Sequence, residues 1–166
     1  MPEPAGDNGP QRLEPMRLSR VFAARRETVF AAWSTTDHVR RWFCPETFSI
    51  PDASVEMRVG GRFDLCMRSP AGEEHWVHGR FTEVLPHRRL AIEMQITDGA
   101  GTPLFKTLTE VDFSDATGTR MDVVQTYTMI DPAKTWMVAG APEGWRSTLD
   151  KLEREVARIE GAGKPA

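Results

Sequence analysis

Cysteine, tyrosine and histidine are scarce in this chain: two, one and four among 166 residues. Neither Cys44 nor Cys66 has a CxxC neighbour, so a disulfide framework or a zinc ribbon is excluded. With no secretory leader in view, both read as reduced thiols, and a cytoplasmic location is expected. Residues 1–15, MPEPAGDNGPQRLEP, hold no apolar run and read as a disordered tail, not a signal peptide or anchor. No stretch approaches the roughly 18–20 apolar residues of a membrane helix, so a soluble protein with no membrane partner is expected. An excess of positive charge is missing too: 21 Lys and Arg stand against 24 Asp and Glu, a net −3. The pairs Arg25–Arg26, Arg40–Arg41 and Arg88–Arg89 are interleaved with acids and read as solvated faces. No nucleic-acid partner is expected.

Catalytic signatures are also lacking. There is no GxSxG elbow, glycine-rich phosphate loop or HExxH. Cys44 could meet His38 if the short helix before it ends nearby, but an inert thiol is the plainer expectation. Catalytic residues and cofactors are therefore assigned to none, and an enzyme is not indicated. GEEHWVHGRF, residues 72–81, resembles a metal site because His75 and His78 lie three apart. In a strand over 74–84 that spacing puts them on opposite faces, roughly 10 Å apart along it. They cannot share a zinc ion, and no metal is expected.

What is present is periodicity. MRLSRVFAA, residues 16–24, reads as a strand. In the next segment Val29, Phe30 and Trp33 make a short helical stripe, and Thr36 or Asp37 can cap a second short helix carrying Val39, Trp42 and Phe43 before Pro45. From 54 to 130 the period becomes two. Phe63, Leu65 and Met67 share a face, as do Leu90, Ile92, Met94 and Ile96, and then Met121, Val123, Gln125, Tyr127 and Met129. In the strand over 74–84, His75, Val77 and Phe81 face inward. Turn signals at Gly60–Gly61, Gly72, Pro86, Asp98–Gly99 and Gly118 separate the runs, giving a meander of about six strands. The closing GWRSTLDKLEREVARIEG has Trp145, Leu149, Leu152, Val156 and Ile159 at helical spacing, a supporting Asp150–Arg154 pair, Pro142 in its first turn and Gly161 as a stop. The fold class is α+β, with a twisted antiparallel sheet of six to seven strands wrapped around a long C-terminal helix.

The order of these elements, with three motifs, resembles the SRPBCC superfamily, the birch-pollen-allergen-like helix-grip fold. Within it the chain is similar to the branch named for homologues of the activator of the 90-kDa heat-shock-protein ATPase. The motifs are TVFAAWSTTDHVRRWFCP, VEMRVGGRFDLCM and GWRSTLDKLEREV. The resemblance spans residues 16–160 as one domain and leaves 161–166 as a flexible tail. Trp42–Phe43–Cys44–Pro45 departs from the tryptophan pair, glycine and proline of many relatives, so Cys44 can line or rim a pocket. The resemblance implies hydrophobic-ligand carriers, cyclase-type enzymes or co-chaperone domains, and fold alone does not choose among them.

The residues favour the first: a small hydrophobic molecule bound without catalysis between sheet and helix. Phe63, Leu65, Met67, Phe81, Ile92, Met94, Met121, Val123, Leu149 and Leu152 would supply apolar contact, with Trp42, Phe43 and Trp145 beside them. His75, Gln125 and Tyr127 would orient a polar end. Thr107 and Thr109 belong with these inward polar residues, which are either satisfied by neighbours or turned to a ligand. Trp136 and Met137 could form a pocket mouth. A cyclase or hydrolase using Tyr127 or His75, a co-chaperone-like interaction module, a homodimer and a chaperone partner stay open as alternatives.

Overall fold

Alternation of apolar and polar residues turns the middle of the chain into six antiparallel strands, each joined to the next by a short turn. The computed structural model describes residues 11–162. Two strands, β1 (Gln11–Arg12) and β2 (Met16–Phe22), precede two short helices, α1 (Arg26–Ala31) and α2 (Thr36–Arg40). The meander follows as β3 (Ser49–Val55), β4 (Arg62–Arg68), β5 (Glu74–Leu85), β6 (Arg89–Thr97), β7 (Pro103–Ala116) and β8 (Gly118–Met129). A 3-10 turn at Pro132–Lys134, a one-turn helix α3 (Trp136–Ala139) and the long α4 (Ala141–Ala162) close the chain.

The eight strands form one antiparallel sheet in the order β1-β8-β7-β6-β5-β4-β3, and β2 shares the β8 edge with β1. The sheet is thus seven positions wide. The β3–β4 turn needs its glycine pair: Gly60 has φ +81°, and a Cβ on Gly61 would lie 2.2 Å from the Glu56 carbonyl oxygen. Only an unsubstituted backbone turns there so tightly.

One face of the sheet is covered by α4, whose Trp145, Leu149, Leu152 and Val156 are buried. Each of these side chains contributes roughly 1.5–3 kcal/mol relative to exposure. The short helices add a packed aromatic cluster: Trp33 and Trp42 meet edge to face at 4.7 Å, Trp42 and Phe43 at 5.2 Å, and Phe43 and Phe63 at 4.9 Å.

Several expectations need correction. Gln11–Arg12 pairs with β8, so a strand lies within the expected tail; residues 1–10 and 163–166 lie outside the described residues. Thr35, not Thr36 or Asp37, caps α2, its hydroxyl accepting from the His38 backbone N–H. Asp150 and Arg154 do not pair with each other. Asp150 binds Arg20 of β2 at 2.7 Å and Arg154 binds Glu46 at 2.7 Å, because both helix side chains have partners across the fold. Helix α4 continues through Gly161 to Ala162. Arg89 is not simply solvated: its guanidinium reaches Glu83, Glu110 and Asp112 and ties β5, β6 and β7 together.

A buried carboxylate fastens α4 to α2. Glu155, with a side chain only 2% exposed, takes hydrogen bonds from Arg158 at 2.6 Å and from the His38 ring at 2.8 Å. Burial by itself would raise its pKa, but Arg158 and His38 outweigh burial and hold the carboxyl below its usual range. His38 is therefore committed to Glu155 and does not reach Cys44, which overturns the Cys44–His38 pairing considered from sequence.

Candidate functional site

Between the covered face of the sheet and the start of α4 lies a cavity of about 420 Å³. Its position follows from register. Directly opposed residues form rungs across the strands, one being Val77, Ile96 and Phe105, the next Met94, Thr107 and Tyr127. These rungs line the cavity. The following rung is Phe81, Ile92, Thr109 and Gln125. Of these only Gln125 reaches the cavity, and Phe81, Ile92 and Thr109 are fully buried. The opposed pair Met67 and His75 forms the rung at the other end, beside Ser69 and Glu73 of the β4–β5 turn. Helix α3 and the first turns of α4 supply the facing wall through Trp136, Met137, Ala141, Trp145 and Thr148.

The third side is the turn after α2, where Phe43, Cys44, Pro45 and Phe48 line the space. Lys151 of α4 clasps that turn, its ammonium donating to the Pro45 carbonyl at 3.1 Å, the Phe48 carbonyl at 3.4 Å and the Cys44 sulfur at 3.2 Å. Burial pushes the Cys44 thiol up, although Lys151 pulls in the opposite direction. A raised thiol pKa disfavours the thiolate that nucleophilic chemistry requires.

The cavity is mostly apolar, and its floor carries one connected polar network. The Gln125 carboxamide oxygen accepts from the Trp145 indole N–H at 2.8 Å and from the Tyr127 hydroxyl; its amide nitrogen donates to Thr109 Oγ1 at 2.8 Å. Burial holds the Tyr127 phenol above its ordinary pKa, so it remains a proton donor to Gln125 near neutrality. Thr107 differs from these neighbours. It is 6% exposed, and its buried hydroxyl has no hydrogen-bond partner among the described residues.

Of the sequence candidates, Phe43, Met67, His75, Met94, Gln125, Tyr127 and Trp145 come together around the cavity. Trp42, Phe63, Leu65, Phe81, Ile92, Met121, Val123, Leu149 and Leu152 sit in the closed core, where helices and sheet meet directly. Trp42, for example, is fully buried and gives its indole N–H to the Ala32 carbonyl at 2.9 Å. Sequence reasoning missed Phe48, Phe105, Val138, Ala141 and Thr148. Phe105 alternates in phase with Thr107 and Thr109 and was open to discovery by extending the period of two; Phe48 lies in an aperiodic turn that offers no such signal.

His75 lines the inner cavity, while His78 stands on the outer face of the sheet. Among the described residues no group of three His, Cys, Asp or Glu could hold a metal ion. The outer face has a larger depression, about 750 Å³, bordered by Arg62, Asp64, His78, Arg80, Glu93 and Lys106. Its lining is largely polar and mixed in charge, so the smaller, mostly apolar inner cavity is the better candidate for small-molecule binding. Among the described residues no helix is long and apolar enough to cross a membrane.

Comparison with known proteins gives a consistent picture. A family model described as Activator of Hsp90 ATPase homolog 1-like protein matches residues 23–157. Solved structures from three bacteria share the fold. A protein from Rhizobium leguminosarum is 24% identical over 90% of this chain and 97% of its own, with a TM-score of 0.77. One from Chromobacterium violaceum is 25% identical over 86% and 96%, with a TM-score of 0.71. The AHSA1 protein from Silicibacter pomeroyi is 23% identical over 87% and 98%, with a TM-score of 0.73. No curated protein matches the chain. The arrangement is the helix-grip fold of the SRPBCC superfamily, compatible with ligand binding or with an interaction module.

Proposed function

We propose, starting from the fact that this chain belongs to the Activator of Hsp90 ATPase homolog 1-like family, that it binds a small, mostly apolar molecule between sheet and α4 without transforming it. The cavity carries this reading: about 420 Å³ is within the range of small-molecule sites, and its lining is apolar with a few convergent polar groups. Phe43, Met67, Met94, Phe105, Met137 and Trp145 supply contact, and the methionines allow the wall to adapt to shape. Gln125, Tyr127 and His75 are the groups to orient a polar end.

At Tyr127 and Cys44 the state of the titrating group favours a carrier over a cyclase or hydrolase. Tyr127 is held protonated by burial and already gives its proton to Gln125, which suits fixed hydrogen bonding better than general base chemistry. Cys44 is likewise poorly disposed to attack. Native mass spectrometry of gently purified protein, followed by denaturing extraction, tests the proposal. An extra mass that survives native conditions and leaves on unfolding is the expected result. A clean unliganded mass, together with no heat of binding on titration with 2-methylnaphthalene, would sink it.

A second reading, an interaction module, draws on one observation: Trp136 at the cavity mouth is 67% exposed. An exposed aromatic next to an apolar opening can serve as a contact for a protein partner. Co-elution with a purified chaperone that Trp136→Ala abolishes would support it, and unchanged elution would remove it.

A further inference from the structure

The floor of the cavity and the core just beneath it hold five polar side chains, and four of them, Gln125, Tyr127, Trp145 and Thr109, form one hydrogen-bonded network. The Gln125 oxygen has two acceptor sites, and Trp145 and Tyr127 occupy both; its amide is engaged by Thr109. Thr107 is outside this set although it lies directly opposite Tyr127 across β7 and β8 and next to Met94 on β6. A buried hydroxyl with no partner is costly, and the Gln125 oxygen, already holding two donors, cannot serve as its acceptor. The Tyr127 oxygen, having given its proton to Gln125, keeps capacity to accept. Two complementary sites thus stand side by side: a donor without an acceptor and an oxygen able to take one more proton.

We infer that the cavity selects an uncharged ligand carrying a single hydroxyl, phenolic or alcoholic, that accepts from Thr107 and donates to Tyr127. The inference rests on the ligand-binding reading above and specifies the chemistry of its polar end. Among the described residues no lysine or arginine lines the cavity, and His75 stands at the end away from Thr107 and Tyr127, so a carboxylate on the floor would have no cationic side chain beside it. A change of the threonine χ1 rotamer moves its hydroxyl to the place held by its methyl or its hydrogen, so Thr107 can present the donor to the cavity without backbone movement. A hydrocarbon of the same shape would leave Thr107 as it is and gain only apolar contact.

The test compares 2-naphthol with 2-methylnaphthalene, which differ by hydroxyl for methyl, by calorimetric titration of the full chain. The native protein should prefer 2-naphthol by about three- to tenfold, the worth of one net hydrogen bond. Thr107→Val should abolish the preference while 2-methylnaphthalene binds as well as before or better, and Thr107→Ser should restore it. In the absence of either compound Thr107→Val should melt at the same temperature or higher, because no protein hydrogen bond is lost. Three results would overturn the inference: equal binding of both compounds to the native protein, a preference that survives Thr107→Val, or a fall of more than about 3 °C in the unliganded variant. If neither compound binds, the cavity reading itself fails, and this inference with it.

Discussion

Replacing Gln125 by leucine removes the centre of the cavity floor while nearly conserving volume. Three groups then lose a partner: the Trp145 indole N–H, the Tyr127 hydroxyl and Thr109 Oγ1. Each stranded buried group costs about 1–3 kcal/mol. The full sum is not reached, because Tyr127 borders the cavity and can rehydrate, and leucine gains apolar transfer energy. A net loss of about 3 kcal/mol is expected. For a chain of this size that corresponds to roughly 6–12 °C in melting temperature. Urea denaturation and thermal melts of Gln125→Leu measure it, and Trp145→Phe in both backgrounds isolates the mechanism. Phenylalanine has no N–H to strand, so Trp145→Phe should cost at least ~1 kcal/mol less in the Gln125→Leu background than beside the native glutamine. A loss below ~1 kcal/mol, or strictly additive effects, would show that the network does not hold the floor together.

Two further outcomes follow from titrating groups. The folded pKa of Glu155 lies below its unfolded value, so its stabilisation is present above the ordinary carboxylate range, near pH 4.3, and is lost as pH falls through the lower folded pKa. Glu155→Gln should therefore cost about 2 kcal/mol at pH 7, moderated because Arg158 and Arg41 can hydrate, and the gap from native should close towards pH 3; a gap independent of pH would refute the assignment. Burial and the neighbouring Glu74 push the Cys66 thiol up to about 12, and burial also raises Cys44. Neither thiol should react with iodoacetamide at pH 8 in the folded protein, and both should react in urea; labelling of native Cys66 would contradict this.

The architecture was legible because each element announces itself by period. Phe63–Leu65–Met67, Leu90–Ile92–Met94–Ile96 and the 4, 3, 4, 3 spacing from Trp145 to Ile159 identify strands and closing helix, and the family motifs supply their order. The cavity was less legible. A period of two says which face a residue occupies but not how far along the strand the covering helix extends. Ile92 and Met94 are equivalent in sequence, yet Ile92 packs in closed core and Met94 borders the cavity, because the boundary falls between their rungs. That boundary depends on where α4 starts and how the Phe43–Phe48 turn is clasped by Lys151, contacts between segments some hundred residues apart. Long-range partners also explain the Asp150–Arg154 outcome, since helical spacing shows that two charges can meet but not that Arg20 and Glu46 compete for them.

The pairing of β2 with β8 has a temporal consequence. Ser19 bonds to Asp122, 103 residues later, whereas β3 to β8 zip together through successive hairpins. During synthesis at ~5–20 residues per second, β2 leaves the ribosome roughly 5–20 s before its partner exists. For that interval Met16, Leu18, Val21 and Phe22 are an apolar segment without the strand that pairs with it in the fold, and such unpaired segments are prone to pairing with another chain. Arg17 and Arg20 interrupt the run and lower its tendency to aggregate. The same Arg20 that later anchors Asp150 of α4 thus first serves to keep a waiting strand apart from its neighbours.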